Sequence, residues 1–315
     1  MRKNLNTCHI EGYLYDISKL KKKVSGEQSK NPGTEFFTGD INIAVDEEGL
    51  NVVPVHFSYV TAVYSKSGKE NKTFTALDKI YTNKSKTWLE SGKDEAFKVK
   101  IDGNLALNDF FADDGSRVSA RRCDGSFLNI VTSLCDVSER NTYQADIVIT
   151  KVVHVDANPD KNIDKDFTSL NGICFNYRND LLPMSFSVHN DGGMKYFEGK
   201  EPTEKDPLYT KIWGHINNKT IKIEKTEESA FGEASVTTYE NKSHEWVVTG
   251  TAKVPYDYGD EEVLTPDDLN KGMQNREVLW AEIKKRNDEY LASKNANNAP
   301  KVAAAAAVKT GGFSF

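Results

Sequence analysis

Residues 6–16 alternate between two kinds of position, which is the period of a β-strand with one buried face. One face carries Cys8, Ile10, Gly12 and Leu14, and the other carries His9, Glu11, Tyr13 and Tyr15. The same period returns from Phe36 to Val45, where isoleucine and valine alternate with polar residues. The chain therefore begins with two strands that each have a core face and an outer face.

The segments around and after these strands predict a small barrel. Lys19 to Gly33 is a basic, turn-rich loop, and Asn51 to Tyr64 is a third strand rich in β-branched and aromatic residues. Phe74 to Leu89 has a helical pattern, and further strands are predicted at Phe97 to Leu107 and Arg117 to Val131. The order of three strands, a helix and two strands is that of the oligonucleotide/oligosaccharide-binding (OB) barrel, which binds single strands across one face.

One short pattern occurs twice in the chain. It consists of an aromatic residue on a short helix, a Gly-Lys turn and a strand with a central glycine. The first copy runs from Trp88 to Leu105 around Gly103, and the second runs from Tyr196 to Ile216 around Gly214. Because an internal repeat predicts a repeated structural unit, we expect two copies of one barrel.

The remainder of the chain fits this plan. Strands are predicted at Gln144–Val155, Phe167–Tyr177, Leu182–Val188, Leu208–Ile223 and Glu245–Val254, with a short helix at Gly192–Gly199. Thr265-Pro266-Asp267-Asp268 has the signature of a helix N-terminus. Apolar residues at helical spacing then predict a helix that packs on a barrel and ends near Lys294.

The predicted fold class is mainly β: two tandem OB-like five-stranded barrels, a C-terminal helix and a flexible tail. The expected domains are 1–140 for a first OB barrel that binds single-stranded DNA and 141–258 for a second OB-like barrel. Residues 259–294 are expected to form an acidic linker and the helix. Residues 295–315 are expected to be a disordered, low-complexity tail.

Charge is distributed unevenly along the 315 residues. The whole chain has 41 Lys and Arg against 47 Asp and Glu, a net charge of −6. Residues 1–100 hold 16 basic and 13 acidic residues, whereas Asp257 to Asp268 holds six acidic residues and no basic one. A basic lobe with an acidic C-terminal segment fits a protein that binds a polyanion and can cover its own site. A solvated surface with random clustering is the alternative.

Several classes of protein are disfavoured. No apolar run is long enough to span a membrane, and four widely spaced cysteines favour a reducing cytoplasm over a disulfide framework or a zinc site. No phosphate-binding loop or hydrolase motif is present, and the six histidines show no metal-ligand spacing. We therefore expect no enzyme, no cofactor and no metal.

Outward aromatic residues and basic residues form the candidate DNA-binding set, because bases stack on aromatic faces and cations follow the phosphates. These residues are Tyr13, Tyr15, Lys21, Lys22, Lys23, Lys30, Phe36, His56, Arg117, Arg121, Arg122, Trp213 and His215. For each aromatic residue, packing against a neighbouring element is the competing interpretation.

Residues 1–135 resemble the bacterial-type single-stranded DNA-binding proteins, chiefly in Ile10-Glu11-Gly12-Tyr13-Leu14-Tyr15-Asp16, in Ile41-Asn42-Ile43-Ala44-Val45 and in Ile101-Asp102-Gly103-Asn104-Leu105. Over its whole length the chain resembles the larger single-stranded DNA-binding proteins of tailed bacteriophages, including gut phages, in residues 29–36, 229–235 and 312–315. The resemblance implies binding of single-stranded DNA in replication, recombination and repair, in the host-cell cytoplasm. It also implies a C-terminal tip that docks replication or recombination proteins, here through Phe313 and Phe315. The usual tip is acidic, whereas residues 301–315 have no carboxylate side chain.

Three function classes are therefore compared. The leading hypothesis is a non-enzymatic protein that coats and protects single-stranded DNA, with no membrane partner and with its oligomeric state left open. The second is a structural or packaged protein of the virion. The third is an enzyme of DNA metabolism whose site is assembled from distant residues. A DNA affinity that falls steeply with salt would separate the first class from the second.

Overall fold

The alternating segments form long, fully paired strands in the computed structural model. The structure describes residues 4–64, 67–158, 163–227, 231, 235–260 and 263–298, and the side chains at 221–227, 235–242 and 294–298 lie outside this description. The first half contains β1 (Asn6–Asp16), β2 (Lys21–Val24), β3 (Glu35–Ala44), β4 (Val52–Thr61), β5 (Lys98–Phe111) and β6 (Arg117–Val131), with helices α1 (Lys72–Thr82) and α2 (Trp88–Ser91).

The first barrel closes because each of its five main strands pairs with two others. β3 pairs with β1 and β4, β5 pairs with β1 and β6, and β4 meets β6 in a parallel pairing. The closed order β1-β3-β4-β6-β5 is the Greek-key arrangement of an OB barrel, and β2 is added beside β3. The predicted inward residues Ile10, Leu14, Ile41 and Ile43 are fully buried inside it.

The second barrel has the same topology. It contains β7 (Asn141–Val155), β8 (Phe167–Phe175), β9 (Leu181–Val188), β10 (Leu208–Glu227) and β11 (Ser235–Thr251), with helix α3 (Asp191–Glu198) between β9 and β10. β7 pairs with β8 and β10, β8 pairs with β9, β10 pairs with β11, and β9 meets β11 in a parallel contact. These pairings confirm the prediction of two tandem five-stranded barrels.

The internal repeat corresponds to the fourth strand of each barrel. Gly103 on β5 and Gly214 on β10 each follow a register shift, and a Cβ at either position would overlap a carbonyl oxygen of the fifth strand. The overlapped carbonyls belong to Asp124 in the first barrel and Val247 in the second. The two copies therefore use glycine at the same bulge for the same steric reason.

The barrels are joined edge to edge through β1 and β7. Asn6 to Ile10 pairs antiparallel with Asn141 to Ala145. The buried side-chain amide of Asn6 donates to the carbonyl of Leu105 at 2.9 Å in the first barrel and to that of Phe175 at 2.8 Å in the second. A buried amide that is satisfied from both sides holds the two barrels in one arrangement.

Helix α4 (Pro266–Asn298) crosses from one barrel to the other. The predicted capping box is present, since the Thr265 backbone N–H donates to Asp268 and the Asp268 N–H donates to the Thr265 hydroxyl. Gly272 lies so close to Leu181 of β9 that a Cβ there would overlap the leucine side chain. The sequence predicted that apolar residues at helical spacing along α4 would pack on a barrel. Of these residues, Trp280 is buried, but Leu291 is 45% exposed. Among the described side chains of α4, those buried against the barrels lie in the first half of the helix.

Three expectations from the sequence differ from the structure, and part of the third lies outside the described residues. The segment Lys19 to Gly33 is not wholly a loop, because Lys21–Val24 forms β2 against β3. The predicted single helix is two helices, α1 and α2, with Leu77 and Ile80 of α1 buried. The C-terminal helix extends to Asn298, past the predicted end, and residues 299–315 of the expected tail lie outside the described residues. No helix in the described part of the chain is long and apolar enough to cross a membrane.

Candidate nucleic-acid interface

The outer surface of β2, β3 and β4 carries basic and aromatic side chains side by side. Lys23 of β2 lies opposite Phe36 of β3, which lies opposite Thr61 of β4. Lys21 and Lys23 are exposed, and neither pairs with a carboxylate among the described residues. Lys30, in the loop after β2, is also exposed. Second and third strands are the usual ligand face of an OB barrel, and here these are β3 and β4.

An aromatic pair stands beside these lysines. The rings of Phe36 and Tyr59 are 4.5 Å apart between centroids, at an interplanar angle of 40°. Tyr59 is 46% exposed, so part of the pair is accessible to a ligand. We call the surface formed by Lys21, Lys23, Phe36 and Tyr59 the lysine face.

A β-bulge places Tyr59 on this surface. Phe37 pairs with Val60 and Gly39 pairs with Phe57, so Ser58 and Tyr59 on β4 together oppose a single residue of β3. Tyr59 has a φ of 49°, in the left-handed region. Strict alternation after the buried Phe57 would have turned Tyr59 into the core, so the sequence pattern missed it.

The other two predicted cations on this side of the barrel are paired. The Lys22 ammonium is 3.0 Å from Asp78 of α1 and 3.3 Å from Glu35. Its hydrogen bond to Asp78 raises the pKa of Lys22. Arg122 of β6 forms an ion pair with Asp124 at 2.7 Å. These two side chains therefore offer less charge to a ligand than the sequence predicts.

His56 occupies the centre of β4, and its imidazole faces a carboxylate of β3. The His56 Nδ1 atom lies 2.6 Å from the Asp40 Oδ1 atom. The hydrogen bond from His56 lowers the pKa of Asp40, against the opposing effect of partial burial. The hydrogen bond to Asp40 makes His56 a polar candidate for contact with a ligand.

A groove of about 1060 Å³ separates β4 and β6 of the first barrel from β8, β9 and β11 of the second. Arg121 forms part of its wall. The Arg121 guanidinium donates to the carbonyls of Ser185 and His244 and lies 5.3 Å from the ring centroid of Trp246. Burial lowers the pKa of Arg121. Arg121 therefore links the two barrels, and its guanidinium N–H groups already donate to carbonyls of the second barrel.

Arg117 lies at the beginning of β6, against α4. The Arg117 Nη1 atom is 2.9 Å from Glu277, and the guanidinium lies 5.2 Å from the ring centroid of Trp280. Both Arg117 and Glu277 are exposed. Arg117 therefore contacts the C-terminal helix, away from the lysine face.

Tyr13 and Tyr15 point outward from β1, as predicted, but helix α2 covers them. Their rings lie 5.6 Å and 6.1 Å from the ring of Trp88. The Tyr13 hydroxyl donates to Glu47 at 3.1 Å, and the Lys93 ammonium lies 5.8 Å from the Tyr13 ring centroid. Tyr13 and Tyr15 thus pack against a neighbouring element, which was the alternative to DNA binding for each outward aromatic residue.

Trp213 and His215 lie on β10 of the second barrel, outside the inter-barrel groove. The Trp213 indole is 38% exposed and covers Gly250, where a Cβ would overlap the ring. His215 is half-buried, its Nδ1 atom is 3.3 Å from Asn141, and burial lowers its pKa. The structure therefore does not bring these two residues together with the lysine face. Phe313 and Phe315 lie outside the described residues.

A family model described as YorF matches residues 4–301, which is nearly the whole chain. The chain belongs to the YorF family. No curated protein matches it. One solved structure similar to it is a deletion mutant of the single-stranded DNA-binding protein from Thermus aquaticus, with 11% identity and a TM-score of 0.46. The alignment covers 83% of this chain and 100% of the other.

In this member of the YorF family, the candidate site contains residues that the sequence pattern did not single out. Tyr59 joins the lysine face because of a bulge, and Trp246 joins the groove because β11 closes the second barrel. Trp246 belongs to a predicted strand, so an aromatic residue on a closing strand was the available signal. Tyr59 also belongs to a predicted strand, but alternation along that strand assigned it to the core.

Proposed function

We propose that this protein binds single-stranded DNA, without catalysing a reaction, and that the lysine face of the first barrel is its main contact surface. The observation that supports this most directly is the Phe36–Tyr59 ring pair flanked by the exposed cations Lys21 and Lys23. A base can stack on the open side of the ring pair while the ammonium groups contact neighbouring phosphates.

The arrangement favours a single strand over a duplex. Bases in a duplex are stacked on one another, so their faces are not accessible to Tyr59. The lysines would contribute a sequence-independent affinity that depends on counterion release. Contacts to the backbone and to base faces are both tolerant of sequence, which fits a protein that covers DNA of any sequence.

The groove between the barrels offers a continuation of this path. It begins beside Pro54 of β4 and Arg122 of β6 and ends on neutral residues of β8 and β9. We propose that the lysine face is the main contact for the DNA strand and that the groove is a secondary one. Arg121 on the groove wall already donates to the second barrel and is less available to the DNA. With the resemblance to bacteriophage proteins, we further propose a role in replication and recombination of phage DNA in the host cytoplasm.

A titration with fluorescent oligo-dT at two salt concentrations tests the proposal. The double variant Lys21→Glu/Lys23→Glu should bind more weakly, and the slope of log affinity against log salt should fall by up to about 0.7 for each phosphate that the variant no longer neutralises. The matched control is Lys195→Glu/Lys253→Glu in the second barrel, where both lysines are exposed and the change in net charge is the same.

The control should retain the affinity of the original protein, and a duplex of equal length should bind far more weakly than the single strand. Equal weakening by both double variants would show that overall charge, not the lysine face, governs binding. A flat salt response or equal affinity for the duplex would overturn the proposed function.

A further inference from the structure

Three residues of different chemistry converge where the first barrel meets the inter-barrel linker. His9 and Glu11 are two positions apart on β1, so their side chains share its outer face. Cys135 reaches them from the linker after β6, and its backbone N–H donates to the Glu11 Oε1 atom at 2.7 Å. One ligand atom from each of the three residues lies within 4.8 Å of the other two.

The ring of His9 is already oriented for a ligand on its other side. Its Nδ1 atom is 2.8 Å from the Asp102 carboxylate of β5, and its Nε2 atom is 3.3 Å from the Glu11 Oε2 atom. A carboxylate behind a histidine fixes the tautomer and the ring orientation in many metal sites. When Nδ1 donates to Asp102, Nε2 carries a lone pair on the side of Glu11, so a cation between the two could bind both.

We propose that His9, Glu11 and Cys135 bind one Zn²⁺ ion, with a fourth position open to solvent. The donor set of one nitrogen, one sulfur and one oxygen suits zinc better than magnesium or calcium, which prefer oxygen ligands. Bond lengths of about 2.0–2.3 Å place tetrahedral ligand atoms roughly 3–4 Å apart, so small side-chain rotations complete the site.

A cavity of about 530 Å³ gives access to this position. His9, Glu11 and Cys135 line it, and Trp213 and His215 of the second barrel form part of its wall. On binding, the Cys135 thiol releases its proton to solvent and forms the Zn–S bond, while Glu11 and Asp102 remain carboxylates. The ion would tie the linker to β1, across 124 residues of sequence, and so help to fix one barrel against the other.

A second cluster provides an internal comparison. The His154 Nε2 atom lies 3.5 Å from Asp156 and 3.9 Å from Asp166, but all three residues are exposed. The Nδ1 atom of the same histidine is 2.9 Å from Glu198. This cluster lacks sulfur and the buried carboxylate of the first, so we expect it to bind zinc much more weakly.

Two titrations test the assignment on the full-length protein: Zn²⁺ against a chromophoric chelator, and Co²⁺ followed by absorbance. We expect one tight Zn²⁺ ion per chain and a near-ultraviolet thiolate-to-cobalt band. Cys135→Ser should abolish that band, His9→Gln should weaken Zn²⁺ binding by at least tenfold, and Asp102→Asn should weaken it by roughly 10–100-fold, as other outer-shell substitutions do. His154→Gln is the control and should change neither result.

Thermal unfolding of each metal-free variant separates removal of a ligand from loss of the fold. Metal-free Cys135→Ser should unfold close to the metal-free original, whereas added Zn²⁺ should raise the melting temperature of the original and of His154→Gln but not that of Cys135→Ser. The assignment is overturned if no stoichiometric Zn²⁺ binds, if the cobalt band persists in Cys135→Ser, or if His154→Gln removes the binding. It is also overturned if metal-free Cys135→Ser is already unfolded and His9→Gln binds Zn²⁺ normally.

Discussion

The two barrels have the same strand order but carry different residues on their second and third strands. In the first barrel these strands and the adjacent β2 present Lys21, Lys23, Phe36 and Tyr59 to solvent. In the second barrel, residues 167–175 and 181–188 contain no Lys, Arg, Asp or Glu at all. The corresponding surface contacts Arg121 from the first barrel and Gly272 of α4 instead.

This difference shows that the barrel topology supplies a surface, whereas side chains decide what the surface meets. A neutral face on β8 and β9 can pack against protein without burying unpaired charge. A face with exposed lysines and an open ring pair cannot be covered by protein without a desolvation cost, and it suits a polyanion. One copy of the fold has thus been fitted to protein contacts, and the other is proposed to contact DNA.

The largest expected effect concerns the residue that holds the two barrels and α4 together. Arg276 is buried and bonds to Asp109 at 2.8 Å, to the Ser119 hydroxyl at 2.9 Å and to the Leu181 carbonyl at 3.4 Å. Arg276→Ala leaves the buried Asp109 carboxylate without its cation, which should lower the free energy of unfolding by about 3–5 kcal/mol. Urea unfolding measures this.

The control for Arg276 is the next residue of the same helix. Glu277 forms an exposed ion pair with Arg117, so Glu277→Ala should cost less than about 1 kcal/mol. If the two variants lose equal stability, the effect comes from disturbing the helix and not from the link between barrels.

A smaller effect tests whether the two barrels tolerate a side chain equally poorly at the bulge that each has on its fourth strand. Gly103→Ala and Gly214→Ala each push a Cβ against a backbone carbonyl of the fifth strand, and such overpacking should cost about 1–3 kcal/mol in either barrel. Gly26→Ala is the control, because its added Cβ would lie in open space. Thermal unfolding of the three variants would contradict the equivalence if one barrel accepted alanine and the other did not.

The third prediction sharpens the difference in partner. Phe36→Ala or Tyr59→Ala should weaken binding of oligo-dT by about 1–3 kcal/mol if a base stacks on the pair. The matched change in the second barrel is Phe167→Ala, at the start of β8, where the ring lies 5.3 Å from His189. Oligo-dT titration measures the affinity of each variant, and a melting curve checks that each variant is folded. Equal weakening by Phe167→Ala would remove the proposed contrast between the barrels.

The smallest effect is a dependence on pH that originates in the first barrel. Glu47 accepts from Arg140 at 2.6 Å, from Tyr13 at 3.1 Å and from Lys93 at 3.2 Å, and the bond from Arg140 contributes most to lowering the Glu47 pKa. A carboxyl whose pKa is lower in the folded state stabilises the fold above its ordinary pKa, here 4.5. That contribution is lost as the pH falls through the folded-state value.

Glu47→Gln should therefore be less stable than the original at neutral pH and should lose less stability on acidification below about pH 4.5. Glu48→Gln, at an exposed neighbour, should follow the original curve. Denaturant unfolding between pH 3 and 7 gives the comparison. Parallel curves for Glu47→Gln and the original protein would show that the contacts of Glu47 do not depend on its charge.

Much of the architecture follows from local patterns in the sequence. Alternation identified β1 and β3, and the bounds Arg117–Val131 of β6 agree with the prediction. The two glycine-centred segments indicated a repeated barrel, and the capping residues around Thr265 marked the beginning of α4. These features depend on side chains within a few positions of one another, so the sequence is sufficient to reveal them.

Features set by strand register and by packing between elements could not be obtained in this way. β2 was missed because three consecutive lysines have the composition of a loop, and its pairing with β3 alone makes it a strand. Tyr59 faces outward because of a bulge, and Tyr13 is covered because α2 places Trp88 on it. For Tyr59 the bulge interrupts the alternation, whereas for Tyr13 the alternation was correct and a neighbouring helix covers the outward side chain.

The sequence by itself thus determined most of the strands and helices and which face of most strands enters a core, since these depend on periodicity over a few residues. Only the tertiary structure decided which surface residues share a site. Barrel closure separates Trp213 from Phe36, and it brings Cys135 to Glu11 across 124 residues. Contacts of this kind depend on how distant strands pair, and no local pattern records that pairing.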